Sequence, residues 1–304
     1  MDIVARRADE LNYGSDISGA GAFRDIVHSA LDHCRENVVP ASAGDVEGVH
    51  QLRVAIRRLR SALLLFRPLL PQEPASRLRE RLRDLGRLVG TARDWDVFVT
   101  EALTAAASEM PEERVQQQLE GATDPVRSRA HEAVADALRQ PEIGDVLSEL
   151  SRLPDEVPCD GGPSGKKSLH DPAAELAPKL LDKLHRKVAR RGRGLDGLTR
   201  PELHELRKAI KNLRYGVEFL APVLGRKKVK RFLKPARELQ ELLGHVNDGE
   251  WTAHLAEELV RNTSNSGLSE ATAAISGWAR RRGEAARRRL ARPWRKLHAA
   301  GRCW

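Results

Sequence analysis

The stretch VHQLRVAIRRLRSALLLFRPLL, residues 49–70, decides the fold because it returns downstream as LHELRKAIKNLRYGVEFLAPVL, residues 203–224. Aligning His50 with His204 sets an offset of 154 residues, and nine of the 22 positions are then identical. Both copies place apolar residues three and four positions apart, which is the spacing of an amphipathic helix. The chain therefore carries one basic helix twice.

A second pair of segments lies at the same offset. LVGTARDWD, residues 88–96, aligns with LLGHVNDGE, residues 242–250, and this alignment matches Gly90 with Gly244. Two separate motifs repeated without a net gap indicate an internal duplication rather than chance. We therefore predict two helical bundles related by pseudo-twofold symmetry.

Composition places the chain among helix-rich globular proteins. Of its 304 residues 40% are hydrophobic, 4% aromatic and 31% charged. No apolar run approaches the roughly 20 residues that span a bilayer, and the first residues contain no apolar signal core. The cysteines Cys34, Cys159 and Cys303 are isolated, which argues against disulfides and cysteine metal sites. We expect a cytoplasmic protein that does not enter the membrane.

Helical periodicity dominates the chain, and no segment alternates as a strand does, so we predict an all-α fold. The predicted helices cover about 22–38, 46–66, 74–89, 95–108, 123–139, 142–152, 173–191, 201–220, 227–243, 249–262, 268–291 and 293–299. Gly90 and Gly244 are interpreted as helix stops. The predicted organisation is an N-terminal extension at 1–21, a first helical repeat at 22–153, a linker at 154–172 and a second repeat at 173–304.

The charge of the chain is unevenly distributed. Fifty-two Lys and Arg against 43 Asp and Glu give a net charge of +9. The basic excess is concentrated in residues 48–72, 203–234 and 278–296, where few acids stand nearby. Such segments indicate an anionic partner.

The repeated helix carries a basic stripe beside its apolar stripe. On a helical wheel His50, Arg53, Arg57 and Arg60 share an arc of about 80°. The second copy places His204, Arg207, Lys211 and Arg214 in the same way. Like charges four residues apart on a helix repel each other unless an anion relieves them. Successive bases about 5 to 6 Å apart suit a linear polyanion, and arginine grips phosphate with two donors.

The next helix of each half continues the basic pattern. The additional basic residues are Arg79, Arg83 and Arg87 in the first half and Lys230, Arg231, Lys234 and Arg237 in the second. We expect these rows to flank the histidine helices, with a basic groove in each half and a larger cavity between the halves.

Histidines and carboxylates in the repeats leave other uses open. His50 and His204 are candidates for an internal hydrogen bond, for donation to phosphate or, less well, for metal binding beside repelling arginines. Asp94, Asp96, Asp248 and Glu250 could hold Mg²⁺ for phosphoryl transfer, but helix capping or ion pairing explains them better. No phosphate-binding loop, HExxH motif or nucleophile elbow accompanies them. We expect no catalysis, no cofactor and no metal.

Three segments resemble the CHAD domain family, which is named for conserved histidines on an α-helical scaffold. They are VHQLRVAIRRLR with LHELRKAIKNLRY, LGRLVGTARDWDV with LLGHVNDGEW, and the terminal PWRKLHAAGRCW. The resemblance covers nearly the whole chain from about residue 23. It implies two antiparallel four-helix bundles in pseudo-twofold symmetry around a basic central pore that binds inorganic polyphosphate.

Carried over by position, the resemblance implies that the two basic stripes line this pore, with Arg58 and Lys208 at its edge. Asn212 and Asn247 depart from the family pattern, so unequal binding by the two halves is expected. Some family members associate with polyhydroxyalkanoate granules, and a polyphosphate or granule scaffold is therefore an alternative. A nucleic-acid binder is a second alternative, weakened by the scarcity of aromatic residues for base stacking. A metal-dependent enzyme acting on polyphosphate or nucleotides is a third.

Overall fold

The computed structural model describes residues 4–104, 113–156, 168–261 and 266–304. Within these ranges the chain forms ten α-helices joined by turns, with one isolated β-bridge between Ser18 and Pro172. The all-α prediction is confirmed. No helix of these ranges has an apolar stretch long enough to cross a bilayer.

The helices follow one order in both halves. The first half contains α1 (Gly19–Ser42), α2 (Val46–Phe66), α3 (Gln72–Val97), α4 (Glu113–Arg139) and α5 (Pro141–Arg152). The second half contains α6 (Ala173–Arg191), α7 (Arg200–Phe219), α8 (Arg226–Arg261), α9 (Ser266–Arg288) and α10 (Ala291–Ala300). The first three helices of the second half each begin 154 residues after their first-half counterparts, and the duplication predicted from sequence thus extends to the elements themselves. The pseudo-twofold relation of the halves stays a prediction.

Side-chain caps fix where the two basic helices begin. The carboxylate of Asp45 accepts a hydrogen bond from the Gly48 amide at 2.6 Å, which satisfies a free donor of the first turn of α2. At the start of α7, Thr199 and Glu202 form a capping box. Each basic stripe therefore starts in the first turns of a firmly capped helix.

The apolar stripes of the two basic helices lie in one core. Leu52, Ile56, Leu59 and Leu63 are at most 1% exposed, and their second-half counterparts Leu206, Ile210, Leu213 and Val217 are at most 2% exposed. This core runs through both halves, and α2 packs directly against α7. Because each basic stripe adjoins its apolar stripe, burial of the latter holds the bases beside the junction of the halves.

Two predicted helix stops are wrong. Gly90 lies inside α3 and Gly244 lies inside α8, so each of these helices is continuous where the sequence suggested two. Glycine is a poor helix former, but tertiary packing overrides this preference at both positions. The helix predicted at 95–108 is α3 passing into a π-helical turn, Phe98–Leu103, and its last residues lie outside the described ranges.

The N-terminal extension and the linker are partly described. Residues 4–18 lie along α1, where the Arg6 amide donates to Asn37 at 3.0 Å, and the Tyr13 hydroxyl donates to the Phe219 carbonyl at the end of α7. The end of the predicted linker is held by the Gly19 amide, which donates to the Asp171 carbonyl at 2.8 Å. Residues 157–167 of the linker lie outside the described ranges.

Candidate functional site

The two basic stripes face each other across the junction of the halves. Arg57 of α2 donates from Nε to the Tyr215 hydroxyl of α7 at 2.9 Å. The pKa of Lys211 is lowered to about 7, first by burial and then by the positive charges of Arg57, Arg207, Arg60 and Arg53. A lysine loses affinity for its proton in this way when cations from two helices surround it out of water. Arg53, Arg57, Arg60, Arg207 and Lys211 of the two stripes therefore form one positively charged region.

A cavity of about 410 Å³ opens beside this region, between α2, α3, α6 and α7. Eight cationic side chains line it: Arg57, Arg60, Arg79, Arg83, Lys187, Arg191, Lys208 and Lys211. Only two lining residues, Glu80 and Glu205, are acidic, and Glu205 is already bonded to Lys208 and to Arg191 at 2.6 Å. We call this space the basic cavity.

A second cavity of about 200 Å³ lies on the other side of Arg57, and we call it the mixed cavity. Its charged lining combines His50, Arg53, Arg57, Arg93 and Arg207 with Asp94, Glu101 and Asp248. Arg53 bonds Asp94 at 2.7 Å and Arg93 bonds Glu101 at 3.2 Å, so much of this charge is compensated within the protein. The unbalanced charge is concentrated in the basic cavity.

The repeated glycine and aspartate position one arginine in each half. Arg53 donates to the Gly90 carbonyl at 3.2 Å and to Asp94 at 2.7 Å. In the second half a Cβ on Gly244 would lie 3.6 Å from Arg207, and Asp248 stands beside the same guanidinium. A Cβ on Gly90 would likewise lie 3.9 Å from the Arg53 guanidinium carbon, so each guanidinium lies at ordinary contact distance from its glycine.

The two arginines differ in how completely they are bonded. Burial is the main cause that lowers the pKa of Arg207, and its Nε is buried without a hydrogen-bond partner among the described residues. Burial likewise raises the pKa of Asp248, although Arg207 opposes that change. Arg207 thus keeps an unused donor near the mixed cavity.

The two histidines occupy different surroundings. His50 is partly buried and lines the mixed cavity, where burial and then Arg93 lower its pKa and so favour the neutral imidazole. His204 is exposed, and its Nδ1 pairs with Asn247 at 2.6 Å. Asn247 stands where the first half has Arg93, and this exchange explains part of the difference.

Other predicted site residues lie away from both cavities. Arg58 turns toward α1 and the end of α7, where it approaches Ser29 at 3.4 Å and lies over the Phe219 ring at 5.5 Å. Arg87 is exposed and lies 3.8 Å from Asp84. Its positive charge contributes to lowering the pKa of Arg60. Lys230, Arg231 and Lys234 are exposed on α8 and line neither cavity, and Arg231 bonds the Ala300 carbonyl at 2.8 Å. Arg79 and Arg83, in contrast, line the basic cavity.

The structure adds cations that the sequence reasoning missed. Lys187 and Arg191 of α6 line the basic cavity. A signal for them exists in the sequence, because Lys179, Lys183, Lys187 and Arg191 recur every four residues, the same spacing that identified the row on α3. Only packing shows that the end of this row reaches the cavity.

Three of the four acidic residues of the repeated motif form ion pairs. Besides the Asp94 pair with Arg53, Asp96 bonds Arg127 at 2.8 Å and His131 at 2.9 Å, and Glu250 pairs with Arg200. In the described part of the chain no three His, Cys, Asp or Glu side chains are arranged to hold a metal ion. Ion pairing, rather than capping, accounts for Asp94, Asp96 and Glu250. Asp248 lies within α8 beside Arg207 and forms no ion pair among the described residues.

Comparison with known proteins identifies similar folds. The family model described as the CHAD domain matches residues 25–257. A crystal structure of the CHAD domain from the plant Ricinus communis superimposes with a TM-score of 0.83 at 26% identity, covering 99% of this chain and 98% of that one. PptA from Streptomyces chartreusis superimposes with a TM-score of 0.69 at 16% identity, covering 92% and 100%. No curated protein matches the sequence.

Proposed function

The chain belongs to the CHAD domain family, and we propose that it binds inorganic polyphosphate in the basic cavity without catalysing a reaction. One observation carries the proposal: eight cations converge on this cavity against two acids, one of which is already bonded to lysine and arginine. Confined like charges raise the free energy of the empty protein, and a bound polyanion relieves that repulsion.

The bases of the cavity suit phosphate oxygens. In the described ranges, no ion pair with a carboxylate is formed by Arg57, Arg60, Arg79, Lys187 or Lys211. Arginine guanidinium groups can donate two parallel hydrogen bonds to one phosphate, which favours this anion over chloride. These groups are therefore available to a ligand.

The layout favours a chain of phosphates over a single one. Arg57 borders both cavities, so an extended anion could pass from the basic cavity to the mixed cavity along α2. Each additional phosphate in contact adds a charge-assisted bond and releases counterions. Affinity should therefore rise with chain length and fall steeply with salt.

Isothermal titration calorimetry tests the proposal directly. The protein is titrated with orthophosphate, a short polyphosphate and a long polyphosphate, each at about 50 and 200 mM salt. We expect long chains to bind tightest, with at least a tenfold loss at the higher salt. Affinity that depends on neither chain length nor salt would contradict the proposal. Phosphate release with Mg²⁺ is followed in parallel, and we expect none.

A nucleic-acid ligand is the second candidate, and one residue favours it. Trp251 is 42% exposed and lines the mixed cavity, where its ring could stack on a base. The test is competition between labelled polyphosphate and single-stranded RNA at about 150 mM salt. Displacement of polyphosphate by RNA at equal phosphate concentration would favour nucleic acid.

Attachment to storage granules in the cytoplasm is compatible with either ligand and is tested by co-sedimentation.

A further inference from the structure

The second half contains two arginines that hold an internal carboxylate. Arg214 donates from Nη1 to both oxygens of Glu218 at 2.8 Å, and Arg237 of α8 donates to Glu218 at 2.8 Å. Gln240 completes the arrangement by accepting from Arg214 Nε at 2.9 Å. Arg214 and Glu218 are largely buried, at 13% and 19% exposure. Here the protein itself supplies the anion between two arginines.

The first half repeats the arginines without their anion. At the offset of 154 residues, Arg60 and Arg83 correspond to Arg214 and Arg237, whereas Leu64 stands in place of Glu218 and Gly86 in place of Gln240. Arg60 reaches the equivalent position, because a Cβ on Gly86 would lie 3.5 Å from its Nη1. Arg60, Leu64 and Arg83 all line the basic cavity.

The charge around Arg60 is uncompensated. The pKa of Arg60 is lowered below the usual arginine value, first by partial burial and then by the positive charges of Arg79, Arg83 and Arg87. No carboxylate of the described residues lies within ion-pair distance of Arg60, while Arg83 meets only the exposed Asp84, at 3.4 Å. A position that holds a carboxylate in one half is thus open to solvent and surrounded by cations in the other.

We propose that one phosphate group of the ligand binds between Arg60 and Arg83, where Leu64 leaves open the position that Glu218 fills in the second half. This inference rests on the function proposed above and adds a residue that determines specificity. A carboxylate and a phosphate both accept paired guanidinium bonds, so Glu218 marks where an external anion fits in the duplicate site. The ligand consequently binds beside Arg60 and Arg83 of the first half rather than beside Arg214 and Arg237 of the second.

The first test places an acid at the open position. Leu64→Glu should neutralise Arg60 and Arg83 from within and weaken long-chain polyphosphate binding at least tenfold at low salt. Leu64→Gln, which has the same size without the charge, is the matched control and should weaken binding much less than Leu64→Glu does. In the Arg60→Ala background the added acid should lose most of its effect, because its partner is absent. Circular dichroism verifies that each variant is folded.

The reciprocal test opens the second half. Glu218→Gln should free Arg214 and Arg237 and raise polyphosphate affinity, by about threefold, or raise the number of phosphates bound per protein. If Leu64→Glu does not fold, Glu218→Gln tests by itself whether the position between the paired arginines accepts a phosphate. This inference would be overturned if Leu64→Glu and Glu218→Gln both bind polyphosphate like the parent while Arg57→Ala binds it more weakly. The proposed function would then still stand. A parent protein that does not bind polyphosphate would instead overturn the proposed function.

Discussion

Arg57 of the first half and Tyr215 of the second are joined by a 2.9 Å hydrogen bond from Nε to the hydroxyl, with the guanidinium 5.7 Å from the ring centroid. A neutral partner fixes the direction of Arg57 without cancelling its charge. The remaining donors stay free for an anion at the border of the two cavities. Two halves of the chain are thus needed to build one binding group.

Replacing Arg57 should therefore damage binding more than replacing its neighbour. Arg57→Ala removes a donor shared by both cavities, and we expect at least a tenfold loss of polyphosphate affinity by calorimetry. Arg58→Ala removes the same charge from the same helix, yet Arg58 lies outside both cavities. It should keep affinity within about threefold and instead lose about 1 kcal/mol of stability through its contact with Phe219. Equal losses of affinity would refute this assignment.

Lys211 should make binding depend on pH. Its pKa in the free protein is about 7, lowered by burial and by Arg57, Arg207, Arg60 and Arg53. A bound polyanion favours the charged form and raises this pKa, so binding takes up a proton. Affinity should be highest below pH 7 and fall by at most about tenfold per pH unit above it.

Titrations in two buffers of different ionisation enthalpy measure that proton uptake. Lys211→Arg remains charged throughout and should bind with little pH dependence between about pH 7 and 9. The stability of the free protein depends on pH in the opposite direction, because the unfolded chain holds the Lys211 proton up to about pH 10. The contribution of Lys211 to stability therefore improves as pH rises above 7. A Lys211→Arg variant with an unchanged pH profile would exclude Lys211 as the titrating group.

Two glycines of α8 should respond oppositely to alanine. A Cβ on Gly249 would lie 2.5 Å from the Ala279 carbonyl oxygen of α9, so Gly249→Ala should cost about 2 kcal/mol by forcing the helices apart. A Cβ on Gly244 would lie 3.6 Å from Arg207, an ordinary contact. Gly244→Ala should gain up to about 1 kcal/mol from helix propensity. Urea unfolding of both variants tests the close packing of α8 on α9.

Asp96 should be essential for stability and not for binding. It is fully buried and bonds Arg127 and His131 across the first half. Asp96→Ala leaves these bases without their acid, and we expect a loss of about 3 kcal/mol in urea unfolding with polyphosphate affinity unchanged in the folded protein. Asp136→Ala breaks an exposed ion pair with Arg139 and should cost less than about 1 kcal/mol.

The pKa of Asp96 gives this prediction a pH dependence. Burial alone would raise this pKa, but hydrogen bonds from His131 and Arg127 together hold it below the usual value. The stability that Asp96 contributes is therefore present above about pH 4 and lost as pH falls through its folded-state pKa. Asp96→Ala should lose less stability between about pH 5 and 3 than the parent does.

Much of the site could be predicted from the sequence, and the misses have identifiable causes. The stripe containing Arg53, Arg57 and Arg60 was readable because a helix fixes the angle between residues three and four apart. The family resemblance places Arg58 at the pore edge, but a helix turns each successive residue by about 100°, and Arg58 lies over Phe219. The sequence predicts a helix stop at Gly90 because glycine is a poor helix former, whereas Arg53, which bonds its carbonyl, is 37 residues away.

The sequence alone determined that the fold is helical, that it is duplicated at 154 residues, and which face of each repeated helix is apolar and which is basic. Local periodicity encodes these properties. Tertiary structure alone decided which cations remain uncompensated: it brought Asp94 to Arg53, Arg237 to Glu218, and Lys187 into the basic cavity. The physical reason is that charge compensation depends on distances of a few ångströms between residues far apart in the chain, and helix packing sets those distances.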